Sequence, residues 1–75
     1  MKREDILLAR NETIHALRFA QAAASRLVVG AEEVESGSRT ATSVAYVGNQ
    51  LADAQSALSN AEVEIGRLLQ EEGAT

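Results

Sequence analysis

The chain has 75 residues and a net charge of −4, with no Cys, Pro or Trp, one Phe and one Tyr. That length holds one small domain, and the absent cysteines exclude a disulfide framework or a Cys-based zinc site. So few aromatic residues argue against a small β-sandwich or barrel, and the acidic balance argues against a general nucleic-acid or anionic-membrane binder.

Strong helix formers dominate, and the first predicted element is a helix over about residues 4–35. At about 100° per residue, Ile6, Ala9, Thr13, Ala16, Leu17, Ala20, Ala23, Ala24, Leu27 and Val28 share one broad face. Asn11, His15, Arg18 and Arg26 project from the opposite side, together with Leu8 and Phe19. The breaker cluster Ser36-Gly37-Ser38 predicts a turn over about residues 36–38: Gly37 suits a left-handed position closing the helix, and Ser38 an N-cap for the next one. Gly30 is a rival stop.

The second helix is predicted over about residues 39–71, with the ends, about 1–3 and 72–75, frayed. Val44, Val47, Leu51, Ala54, Leu58, Ala61, Ile65 and Leu68 alternate spacings of three and four, as a heptad seam does, so Leu51 and Leu58 are expected in the core. Beside them Ala41, Ala45, Gly48, Ala52, Gln55 and Ser59 follow the same alternation. Asp53 is the only charge between residues 40 and 61. Two seams imply two neighbours: helix 1, and another chain seated on Ala41, Ala45, Gly48, Ala52 and Ser59. Gly inside a helix costs roughly 1 kcal/mol relative to Ala, so Gly48 is expected to face a close helix contact.

The expected fold is therefore all-α: a single domain over residues 1–75, an antiparallel two-helix hairpin that assembles into a helical bundle as a dimer or higher homo-oligomer. Of the hydrophobic residues 14 are Ala, which leaves 20 larger side chains for a core. A chain this short with so thin a core is marginal alone. The architecture is similar to that of the small plasmid-copy-control hairpin dimers, with no residue motif in common, so the likeness transfers no function. Residues 1–31 carry +2 and residues 32–75 carry −6, a split that suits pairing between the halves.

Little of the sequence speaks for catalysis. His15 is the only His, no Ser stands in a nucleophile-elbow pattern, and the glycines form no phosphate-binding loop. A non-enzyme is expected, without a cofactor. Glu12-Thr13-Ile14-His15 is a Glu-x-x-His, the spacing that di-iron carboxylate bundles use, and Glu62 lies roughly level with it in a hairpin. Glu12 and His15 project away from the apolar face, however, so no metal is expected and the set Glu12, His15, Glu62 stands as an alternative. Asn11, His15, Arg18, Arg26, Arg39, Tyr46 and Asn49 form the best candidate ligand set: Arg forks and an aromatic ring suit a small anionic nucleotide. The same residues suit interchain pairing, which is preferred. The expected function is thus a small interaction protein (an adaptor, inhibitor or assembly factor) whose partners are itself and another protein, with nucleotide sequestration between protomers as the alternative. The longest apolar run is far short of a membrane span and no signal-like leader opens the chain, so a cytoplasmic location is expected.

Overall fold

The computed structural model describes residues 1–74, with two helices, α1 (Arg3–Ala31) and α2 (Arg39–Ala74), and no strand among the described residues. α1 opens after Lys2 in extended backbone (φ −80°, ψ 142°), with Glu4 and Asp5 in the first turn, where carboxylates complement the helix dipole.

α1 ends at Ala31, short of the expected 35. Val28, Val29 and Gly30 are weak helix formers, and Glu32, Glu33 and Glu35 would add negative charge at the negative end of the dipole. The chain instead leaves the helix through tightened three-residue hydrogen bonds: Glu32 N–H to the Val29 carbonyl (3.3 Å), Glu33 to Gly30 (3.2 Å) and Val34 to Ala31 (3.1 Å).

A tight turn follows, closed by Ser38 N–H donating to the Glu35 carbonyl at 3.2 Å. Gly37 stands at its third position with φ 78°, which a type II turn requires and Gly adopts without strain. Gly37 is left-handed as expected, but it belongs to this turn and does not close α1. Ser38 is the expected N-cap: its Oγ accepts the Ala41 N–H at 3.1 Å, and its carbonyl accepts the Thr42 N–H at 3.2 Å. α2 starts at Arg39 as expected and runs past 71 to Ala74; Thr75, in the expected frayed end, lies outside the described residues.

The helices pack antiparallel as a hairpin, and the grooves along their joint give the register. Leu17 and Gln21 share one groove with Ala52, Gln55 and Ser59, and Ala24, Val28 and Ala31 share another with Val44, Ala45 and Gly48.

Among the described residues only Ile6 is buried, at 2% exposure. Half-buried residues trace the rest of the joint: Thr13, Ile14, Leu17, Ala20, Ala23, Ala24 and Leu27 on α1, and Ala41, Val44, Gly48, Leu51, Gln55, Leu58, Ala61, Glu62, Ile65, Gly66 and Leu69 on α2. Thr13 satisfies its hydroxyl by donating to the Ala9 carbonyl at 2.8 Å.

This row differs from both predicted seams. It takes Val44, Leu51, Leu58, Ala61 and Ile65 from one, and Ala41, Gly48 and Gln55 from the other. The physical reason is width. α2 has four adjacent low-charge columns, and a single neighbouring helix centres on the inner two. The outer columns then fall on opposite broad faces of the hairpin: Ala45, Ala52 and Ser59 on one, Val47, Ala54 and Leu68 on the other, all exposed. On α1, Ala9, Ala16 and Val28 of the predicted face are likewise exposed.

The Cα radius of gyration is 17.0 Å, against about 11 Å for a globular chain of this length. The molecule is a rod, 57 × 14 × 13 Å.

Candidate interaction surface

The two broad faces are unlike each other. One carries Leu7, Ile14, Gln21 and Val28 from α1 beside the smaller Ala45, Ala52, Ser59 and Gly66 from α2, and this size mismatch leaves it grooved. Leu17, Gln21, Ala52, Gln55, Ser56, Ser59 and Asn60 line an open depression at mid-rod. A more apolar one, lined by Ala24, Leu27, Val28, Ala31, Val44, Ala45 and Gly48, lies nearer the turn. The other broad face carries Ala9, Ala16, Ala23 and Gly30 beside Val47, Ala54, Ala61 and Leu68. None of these sixteen positions is charged.

The expected interface residues on α2 divide between groove and joint. Ala45, Ala52 and Ser59 are exposed on the grooved face, while Ala41 and Gly48 are half-buried in the row facing α1. A Cβ at Gly48 would meet nothing within 4 Å, so within the hairpin no close contact requires a glycine there. Gly48→Ala is therefore expected to stabilise the helix by roughly 0.8–1 kcal/mol, read as a raised melting temperature with unchanged mass in solution. A loss of stability would mean that another backbone occupies the groove.

The candidate ligand residues are not gathered in one chain. Asn11, His15, Arg18 and Arg26 are exposed on the outer side of α1; Arg39, Tyr46 and Asn49 are exposed on the outer side of α2. Both helices stand between the two groups. Tyr46 Oη accepts a hydrogen bond from Gln50 Nε2 at 2.8 Å, which ties the ring to its own helix.

The alternative metal set is divided in the same way. Glu62 is half-buried, whereas Glu12 and His15 are exposed. No group of three or more His, Cys, Asp or Glu among the described residues is placed to hold a metal ion. Arg67 pairs with Glu64 of its own helix at 2.8 Å, with both side chains about two-thirds exposed, so this pair adds little stability.

No family model matches the sequence, and no match is found among curated proteins or solved structures. Function has to be argued from the surface alone.

That surface is large. The chain exposes 5853 Å², whereas a folded monomer of 8.0 kDa is expected to expose about 4,450 Å². Large apolar side chains share in it: Phe19 is 74% exposed, Val28 and Val29 66%, Tyr46 63%, Leu8 and Val63 58%. Sequence patterning singled out Leu8 and Phe19 as off-face residues, but missed that Val28 would be exposed, because a ten-residue face was read where the joint is one narrow row. No helix of the described residues is long and apolar enough to cross a membrane.

Proposed function

We propose that this chain is a small non-enzymatic helical interaction protein (an adaptor, inhibitor or assembly factor) that acts as a homo-oligomer and docks helices of a partner in its grooved face. One observation carries the reading: only Ile6 is buried among the described residues, while the chain holds some 1,400 Å² more exposed surface than its mass warrants. An area of that order is more than one standard interface removes from each partner, about 800 Å². Uncharged broad faces are the material of helix-on-helix docking, and the depression near the turn presents Leu27, Val28 and Val44 for apolar contact with a partner helix.

Sedimentation equilibrium, together with thermal melts from about 1 to about 100 micromolar chain, tests the oligomeric part. The expected result is a mass above that of one chain and a melting temperature that rises with concentration, because association stabilises the folded state by mass action. A mass of 8.0 kDa throughout, with a melt independent of concentration, overturns the reading.

A further inference from the structure

We infer that the broad face opposite the grooves is where a second copy of this chain docks, about a two-fold axis that crosses α1 at Phe19. This rests on the self-assembly proposed above and names its surface. Ala9, Ala16, Ala23 and Gly30 recur every seven residues along that face, and Glu12, Phe19 and Arg26 recur every seven along its outer rim. Together they alternate spacings of three and four, so they form a second heptad seam on α1, beside the one that faces α2.

Antiparallel packing of α1 on its copy, centred on Phe19, makes this seam self-complementary. Ala16 lies opposite Ala23 of the partner subunit, and Ala9 opposite Gly30 of the partner subunit, small against small, which lets the backbones approach closely. Phe19, 74% exposed in the hairpin, lies on the axis and covers its own copy. Glu12 meets Arg26 of the partner subunit, and the axis repeats that pair. Neither Glu12 nor Arg26 has an ion-pair partner within the hairpin. The hairpin register carries α2 along in the same rotation, so that Ala54 sits on its own copy and Val47 beside Ala61 of the partner subunit. At the ends Asp5 points toward Glu33 of the partner subunit, but Glu33 lies beyond α1, in the turn.

The grooved face suits a second copy less well. Its two-fold nearest mid-rod sets Arg18 on Arg18 of the partner subunit, like charge on like charge, which costs rather than stabilises. Size agrees with the assignment. A face of a 57 × 14 Å rod covers roughly 800 Å², the area per partner of a standard stable interface.

The test is a charge swap read as a dimer dissociation constant, with cross-linking as a second measurement. Glu12→Arg and Arg26→Glu are each expected to weaken the dimer about tenfold at low salt, and the double variant to restore it. Both sites are exposed, and circular dichroism checks that helicity is unchanged. The chain has no Cys, so a single introduced thiol reports unambiguously. Oxidised Ala54→Cys is expected to give a covalent dimer, and Arg18→Cys no more than an unfolded control. If the wild type associates but the swap has no effect and Arg18→Cys cross-links instead, the second copy sits on the grooved face and this assignment falls while self-assembly stands. A monomeric wild type removes both.

Discussion

Ile6→Ala is expected to cost about 2–4 kcal/mol, close to all the stability that this chain commands. Ile6 is 2% exposed, while every other described residue is at best half-buried. It sits three residues into α1, at the open end of the hairpin, where no turn ties the helices together. The end of a rod should fray, and one fully covered branched side chain there is the firmest anchor among the described residues. Removing three carbons forfeits both the transfer energy and the packing around the space left behind. For a domain of this size each kcal/mol moves the melting temperature by about 4–8 °C, so a shift of roughly 10 °C or more is expected. Leu8→Ala, at a side chain 58% exposed, is the control and should change stability by less than about 0.5 kcal/mol. Equal effects from the two variants would show that Ile6 anchors nothing.

The fold is legible in the sequence where one residue type answers one local demand. Ser38 caps α2 because a hydroxyl before a run of helix formers satisfies an otherwise orphaned N–H, and Gly37 takes the positive φ that other residues avoid. These are short-range effects, legible in a few consecutive letters. The end of α1 was not, because Gly30 and Gly37 both punctuate the chain. The choice between them turns on three carboxylates that disfavour a helix C-terminus, each by only a fraction of a kcal/mol.

The packed row on α2 was also out of reach, for a different reason. Heptad spacing identifies columns, and α2 offers four low-charge columns side by side, from Val47 through Val44 and Gly48 to Ala45. Any adjacent pair reads as a seam. Which pair faces α1 is decided by the match with α1 across the joint, a tertiary fact. The candidate site suffered likewise. Asn11, Arg18, Tyr46 and Arg39 are all exposed polar or aromatic residues, but chemistry alone did not say that two helices would stand between them.

Leu58→Ala separates folding from association, and it is expected to cost on the order of 2 kcal/mol in urea unfolding, at the low end of the range for such truncations. Leu58 and Leu51 are half-buried in the row facing α1, so part of each side chain already meets solvent in the hairpin. Either truncation should lower the urea midpoint with little change in its slope, at every protein concentration. Leu68→Ala makes the contrast. Leu68 is 41% exposed on the face assigned to the second copy, outside the α1–α2 row. Its loss should weaken association while leaving the melt of the dilute protein within about 0.5 kcal/mol of wild type. The two leucines stand ten residues apart on one helix and are alike in chemistry; only the neighbour each faces distinguishes them. A cost below about 0.5 kcal/mol for Leu58→Ala, beside a larger one for Leu68→Ala in the dilute chain, would reverse the assignment: Val47, Ala54, Ala61 and Leu68 would then be the column that packs on α1.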